Sequence, residues 1–186
     1  LNSAYDLAQQ HTGDWYHGSY FLQYALLNLA MDCDANSFID VFKGLAKSDP
    51  NFQYQGEANV RLPAHYFIET RDWASASNFN LEIFYDTSSD MWDAQPFTRV
   101  YESFVVAIGQ GVLGNNNDVL QASIESIIAW NQTMYVSDPD WGRLQLPYYR
   151  HSFDQMVQTA QAWGTYRSVS SDAGIAAMQA CVDYQA

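Results

Sequence analysis

Positive charge is scarce in this chain. Its 186 residues include 8 lysines and arginines against 21 aspartates and glutamates, which gives a formal net charge of -13 at pH 7. A field of this sign repels the phosphate backbone of nucleic acids and anionic membrane surfaces. We therefore expect no nucleic-acid partner. An acidic surface suits plain solubility, divalent cations or contact with a basic protein.

Long apolar runs are also missing. A membrane-spanning helix needs about 20 consecutive apolar residues. The longest candidate, Tyr20–Met31, is interrupted by Gln23 and Asn28. We therefore expect no membrane span. The chain begins at Leu1 without a charged and then apolar leader, so we expect a processed chain or part of a longer one.

Cysteine is used only twice, at Cys33 and Cys181. In an open helical array, two positions near opposite ends lie beyond the Cα separation of roughly 7 Å that a disulfide allows. We favour two separate thiols. A disulfide between them would require the array to close on itself. The sequon Asn131-Gln132-Thr133, with many Tyr, Asn and Ser and little Lys, indicates a secreted or cell-surface glycoprotein modified at Asn131.

Motifs of nucleophilic or nucleotide-dependent catalysis are absent from the sequence. There is no Gly-x-Ser-x-Gly elbow, no Cys-x-x-Cys pair and no glycine loop that would hold a phosphate. We interpret Gly109 and Gly111, inside a predicted helix, as packing residues. We expect no cofactor and lean against an enzyme, although catalytic groups can converge from distant positions.

The nearest approach to a metal site is His11, Asp14 and His17. Asp14 and His17 lie one turn apart on a predicted helix, and His11 could fold back from the preceding loop. The spacing differs from the His-Glu-x-x-His of known zinc helices. We favour capping and packing roles for these residues and keep a divalent metal site as a third hypothesis.

What the sequence contains in abundance is helical periodicity. Phe38, Val41, Phe42 and Leu45 fall at the i, i+3, i+4, i+7 spacing of one buried helix face. No strand-like alternation is sustained anywhere. The chain is therefore predicted to be all-α, as a single domain over 1–186. The predicted helix pairs span approximately 14–48, 52–85, 96–136 and 141–184.

Three details of this helix prediction can be checked in the structure. Pro63 is expected to kink or restart the helix that contains it. The stretch Trp73–Tyr85 is predicted to be one helix. The last helix, near 172–184, is predicted to carry Ile175, Met178 and Val182 on its apolar face.

The stretch Arg61–Ala76 is typical of a helical hairpin. One helix ends, a tight turn follows, and Trp73 and Ala76 lie three residues apart at the start of the next helix. The segment RDWASA resembles the turn and second helix of a tetratricopeptide repeat. Asp14–Asp32 is similar to the first helix of such a repeat, with Tyr20, Tyr24 and Leu27 in core positions.

The resemblance to tetratricopeptide-like proteins spans roughly Asp14 to Val182. It implies antiparallel helix pairs stacked into a short right-handed α-solenoid. It also implies a scaffold that binds protein or assembles with other chains. In such an array the concave surface and the two apolar ends are the natural docking sites.

Aromatic residues are the remaining signal. The chain has 13 Tyr, 10 Phe and 6 Trp, and tyrosine and tryptophan supply large, rigid contact areas at interfaces. The alternative is that tyrosine hydroxyls join the helices to one another. The candidate interaction surface comprises Tyr66, Arg99, Tyr101, Tyr148 and Tyr149.

These observations lead to hypotheses of different classes. The first is a non-enzymatic helical-repeat scaffold for protein binding or self-assembly, as a homo-oligomer or filament. A variant is a secreted structural subunit of a fibre assembled head to tail. The second is a ligand-binding or catalytic helical domain whose aromatic groove lies near His65, Tyr66, Arg99 and Tyr101.

Overall fold

The computed structural model describes residues 14–49, 52, 56–88, 96–137 and 146–183. Within these ranges every regular element is a helix, so the prediction of an all-α chain is confirmed. In chain order the helices are α1 (Asp14–Asn28), α2 (Asp32–Ser48), α3 (Gly56–Glu69), α4 (Trp73–Ser77), α5 (Leu81–Tyr85), α6 (Pro96–Leu113), α7 (Asn117–Ser137), α8 (Leu146–Ser168) and α9 (Ser171–Asp183).

The prediction of one helix from Trp73 to Tyr85 was wrong. Two short helices, α4 and α5, occupy this stretch and are separated at residues 78–80. The side chain of Asn78 donates to the Ala74 carbonyl at 2.9 Å, and the side-chain oxygen of Asn80 accepts from the Ile83 N–H at 3.0 Å. Asparagine offers the backbone such local alternatives to a continuous helix, so these two residues end α4 and begin α5.

The chain divides into two compact units. The first comprises Leu1–Asp72 and Asn80–Asp93, and it contains α1, α2, α3 and α5. Its core is a row of aromatic rings in which each contacts the next. Tyr16 and Phe42 have ring centroids 5.5 Å apart, Phe42 and Phe52 6.2 Å, and Phe52 and Tyr85 5.2 Å. Phe42, Phe52 and Tyr85 are fully buried, so this row of rings connects α1, α2 and α5.

Helix α3 runs through Pro63 without a restart. Proline has no N–H, so Pro63 cannot donate the usual helical hydrogen bond to the carbonyl of Asn59. The Tyr85 hydroxyl donates to that same carbonyl at 2.5 Å. A side chain of α5 therefore supplies the donor that α3 lacks, which explains how a buried helix tolerates proline at this position.

The second unit comprises Trp73–Phe79 and Ala94–Ala186, with helices α4 and α6 to α9. Helices α6, α7 and α8 contact one another, α9 packs on α8, and α4 packs on α6. The turn between α6 and α7 contains Gly114, whose φ of 68° favours glycine. Asn116 then caps α7 by accepting from the N–H groups of Asp118 and Val119. Turns this short make α6 and α7 antiparallel neighbours.

Glycines in α6 set how closely its neighbours approach. A Cβ at Gly109 would lie 2.3 Å from the backbone nitrogen of Ser77 in α4, and one at Gly111 would lie 2.7 Å from the Trp163 ring. Both positions therefore admit no side chain without displacement of a neighbour. This geometry supports the interpretation of these two glycines as packing residues.

Arg167 completes the C-terminal end of α6. Its Nε donates to the Gly111 carbonyl at 2.7 Å, and its Nη2 donates to the Val112 carbonyl at 2.6 Å. The last carbonyls of a helix have no partner within the helix, and a cation near them also interacts favourably with the helix dipole. The side chain of Arg167, at the end of α8, thus connects α8 to the backbone carbonyls of α6.

Candidate functional site

Two pairs of side chains face each other between α1 and α3 in the first unit. Arg61 and His65 lie one turn apart on α3, as do Tyr20 and Tyr24 on α1. The His65 ring centroid is 5.0 Å from that of Tyr20 and 5.8 Å from that of Tyr24. The Arg61 guanidinium lies 5.3 Å from the Tyr20 ring centroid, which is a cation–π distance. We call these four residues the His65 cluster.

The His65 cluster holds its imidazole neutral near pH 7. Burial, and secondarily the positive charge of Arg61, lower the pKa of His65 from 6.5 to about 4. The His65 Nδ1 atom is buried and has no hydrogen-bond partner among the described residues. A neutral ring packed on two tyrosines behaves as an aromatic side chain, and a protonated one would be poorly solvated there.

This shift predicts that stability falls as the pH falls. The folded-state pKa lies below the unfolded value, so between pH 6.5 and 4 the unfolded chain binds a proton that the folded chain does not. From pH 7.5 to 5 we expect His65 to account for a loss of about 2 kcal/mol in the free energy of unfolding. Urea denaturation at both pH values measures the total change in the free energy of unfolding, to which Tyr16 and Tyr66 do not contribute because their pKa values are raised.

The matched variant for this measurement is His65→Phe, which keeps an aromatic ring and removes the titrating group. The variant should lose about 2 kcal/mol less than the original chain over the same pH interval. Because His65 is one of several groups that titrate, the difference between the two chains is the quantity to compare. Parallel pH profiles for the two chains would contradict the assignment to His65.

The predicted interaction residues lie in different units. Tyr66, in the first unit, is partly exposed. Burial raises the pKa of its hydroxyl, and the electrostatic effects of Asp32, Cys33 and Asp72 raise it further. In the second unit, Tyr101 is only 8% exposed and packs on Phe97 and Phe153.

Arg99, also in the second unit, pairs with Glu102 at 2.9 Å, and both side chains are largely buried. Arg99 and Tyr101 therefore offer a partner little area. The side chains of Tyr148 and Tyr149 lie outside the described residues, although the backbone of both belongs to α8. A shared interaction surface of these residues stays a prediction.

The candidate metal ligands also lie largely outside the described part of the chain. His11 precedes it, and of Asp14 and His17 only the backbone, at the start of α1, is described. Across the described residues, no group of three or more His, Cys, Asp or Glu side chains is placed to hold a metal ion. The His11 hypothesis stays a prediction.

Asn131 lies inside α7 and is 8% exposed. Its Oδ1 atom is buried without a hydrogen-bond partner among the described residues. The sequon's Thr133 uses its hydroxyl to donate to the Ala129 carbonyl. Glycosylation of Asn131 stays a prediction. Neither cysteine forms a disulfide, since Cys33 is an exposed thiol and Cys181 a buried one.

The last helix exposes aliphatic side chains. Ile175 and Val182 are each 58% exposed and lie seven residues apart, which places them on one side of α9. Gly174 and Cys181, each one residue earlier, are buried, and a Cβ at Gly174 would lie 2.4 Å from Tyr166 of α8. We call Ile175 and Val182 the α9 face. The sequence placed these two residues in the core, because periodicity alone does not distinguish which side of a helix meets its neighbour.

A second exposed patch lies on α1 in the first unit. Phe21 is 56% exposed and Tyr24 is 45% exposed, three residues apart on the same side of the helix. We call this pair the α1 face. The resemblance to a repeat predicts Tyr24 as a core residue. In the structure its ring packs against His65, and 45% of the residue is exposed to solvent.

Among the described helices, none is both long enough and apolar enough to cross a membrane, as the sequence had predicted. No protein-family model matches the chain, and comparisons with curated proteins and with solved structures find no significant match. The resemblance to tetratricopeptide-like proteins therefore stays a prediction.

Proposed function

We propose that this chain is a non-enzymatic helical-repeat scaffold of the tetratricopeptide-like kind, which assembles with protein chains and first of all with its own copies. The observation that carries the proposal is the α9 face, where two aliphatic side chains are each more than half exposed on one side of a helix. Exposed apolar residues at i and i+7 on one side of a helix are typical of helices that bind in a groove of another protein.

The chain also carries the material for contact between copies. Among the described residues, the α1 face is an apolar surface of the first unit and the α9 face is one of the second. A contact between unlike faces of two copies is heterologous, and it yields a ring or a filament according to whether the rotation closes. A contact between like faces yields a two-fold dimer. Complete burial of an apolar side chain such as Ile, Val or Phe contributes about 1.5 to 3 kcal/mol, so burial of either face stabilises a contact.

Charge sets the condition under which such assembly occurs. Each copy carries a net charge of -13, so copies repel one another at low ionic strength. Salt screens this repulsion and leaves apolar burial intact. We therefore expect the mass measured by light scattering to rise with salt as well as with protein concentration.

The test compares two substitutions on one helix. Ile175→Glu places a charge in the α9 face, and we expect it to raise the concentration needed for assembly by roughly tenfold or more. Ala176→Glu adds the same charge at an exposed position outside that face and should have little effect. Light scattering across a concentration series measures both. A chain that stays monomeric at all salt and protein concentrations would rule out self-assembly and leave a different protein as the partner.

The variant as a secreted structural fibre subunit makes a further demand. Head-to-tail contact between the α1 and α9 faces must propagate without closing. Electron microscopy of the salt-induced assemblies distinguishes filaments from rings and dimers. Phe21→Glu should then block growth as strongly as Ile175→Glu, because a heterologous contact needs both faces.

A ligand-binding domain is the second candidate, and the His65 cluster favours it. A neutral imidazole, an arginine and two tyrosines offer a planar aromatic or anionic ligand both stacking and hydrogen bonding. Chemical-shift changes in the His65 ring during a fragment screen would test it. If no fragment perturbs the ring, the cluster has a structural role only.

A further inference from the structure

The last helix of the second unit carries a line of apolar side chains. Ile175, Met178 and Val182 are spaced three and four residues apart, which is the spacing of the apolar positions in a coiled coil. Ile175 and Val182 are each 58% exposed, and Met178 is partly exposed. Gly174 and Cys181 are buried on a different side of α9, where Gly174 meets α8. We call Ile175, Met178 and Val182 the α9 seam.

Carboxylates follow one flank of the α9 seam. Asp172 and Asp183 are exposed near the two ends of α9, and both lie about 60 to 80° round the helix from Ile175 in the same direction. Gln179 lies between them and donates to the Asp183 carboxylate at 2.9 Å. In a pair of packed helices, charges on such a flank face the flank of the partner helix and select the partner. A helix with Lys or Arg at the facing positions is therefore complementary.

The charge of the chain favours the same kind of partner. The net charge of -13 attracts a cationic chain and repels a second copy. A second copy also brings only two lysines, and both already have contacts: Lys47 pairs with Asp86 at 3.0 Å, and Lys43 lies 4.1 Å from the Phe84 ring centroid. We therefore expect contact between copies to strengthen with salt and contact with a basic helix to weaken with it.

We propose that the α9 seam binds a basic amphipathic helix of another protein. The partner places its apolar side chains against Ile175 and Val182 and its Lys or Arg side chains beside Asp172 and Asp183. This inference rests on the proposed scaffold function, because it names a partner for a surface already assigned to protein contact. Salt screens the exposed ion pairs and leaves the apolar burial intact.

Fluorescence anisotropy of a labelled peptide tests the proposal on the full chain, at concentrations where light scattering shows only monomer. The probe is a three-heptad helix with Ile and Leu at its apolar positions and Lys at the flanking positions. The control peptide carries Glu in place of each Lys. The Lys peptide should bind at about 50 mM salt and roughly tenfold more weakly at about 500 mM. The Glu peptide should bind at least tenfold more weakly than the Lys peptide at the lower salt.

Charge reversal at Asp172 separates the α9 seam from general attraction to an acidic chain. Asp172→Lys should weaken binding of the Lys peptide about fivefold and strengthen binding of the Glu peptide. Asp118→Lys is the matched control, because Asp118 is also exposed and lies in the first turn of α7, as Asp172 does in α9. It changes the net charge equally and should alter the affinity less than about twofold. Val182→Asn should weaken the Lys peptide at both salt concentrations.

The proposal is overturned if the Lys peptide does not bind at the lower salt, or if Asp118→Lys weakens binding as much as Asp172→Lys. Melting temperatures show whether each variant is folded, and stronger binding of the Glu peptide to Asp172→Lys requires a folded seam. Because the peptide is measured on monomers, it reads separately from assembly between copies. Assembly without peptide binding would keep the scaffold and remove this partner, whereas peptide binding without assembly would keep the partner.

Discussion

Replacing Gly109 by alanine is expected to destabilise the second unit by about 3 kcal/mol. The new Cβ would lie 2.3 Å from the Ser77 nitrogen and 2.7 Å from its Cα. Both are backbone atoms, so no side-chain rotation relieves the clash, and α4 and α6 must move apart. Urea denaturation followed by circular dichroism measures the change in the free energy of unfolding.

Gly44→Ala is the matched control for that substitution. Gly44 lies within α2, is exposed, and has no atom within 4 Å of where a Cβ would stand. Alanine has a higher helix propensity, so this variant should be more stable by about 0.5 to 1 kcal/mol. The two substitutions are chemically identical and should have opposite signs. A stabilised or unchanged Gly109→Ala chain would show that the close approach of α4 to α6 is not required.

Local features of the fold were readable from the sequence. Phe38 and Phe42 fall on the predicted apolar stripe of α2 and are buried. This feature depends on spacing within a few residues. The break at residues 78–80 was not predicted, because the residue pattern there is typical of one continuous helix. Local hydrogen bonds from the side chains of Asn78 and Asn80 interrupt it.

Features that depend on distant residues could not be predicted in this way. Ile175 and Val182 follow the apolar period of α9, yet Gly174 and Cys181 take the side against α8 because glycine permits closer approach. The sequence singled out Asn131 as a sequon, and its unpaired carbonyl follows only from the packing of α7. Helical periodicity predicts which segments are helices and which residues share a face. It does not determine which side of the helix packs against a neighbouring helix.

Tyr85→Ala is expected to cost the first unit about 4 kcal/mol, the largest effect of any single change proposed for this unit. Tyr85 is fully buried, and its ring contacts Phe52 at 5.2 Å and Phe84 at 5.0 Å between centroids. Tyr85→Phe keeps those ring contacts and removes only the hydroxyl. That variant should cost about 2 kcal/mol, because the Asn59 carbonyl loses its donor in a buried site.

We attribute the cost of Tyr85→Phe to Pro63, and a double-mutant cycle tests this attribution. Pro63→Ala restores an N–H at the position from which the helix normally bonds to the Asn59 carbonyl. In that background the Tyr85 hydroxyl is no longer the replacement donor, so Tyr85→Phe should cost about 1 kcal/mol less than it does beside proline. Urea denaturation of the four chains gives the coupling energy. Additive effects would mean that the hydroxyl and the proline act separately, and the Tyr85 bond would then be an ordinary buried contact unrelated to the missing N–H.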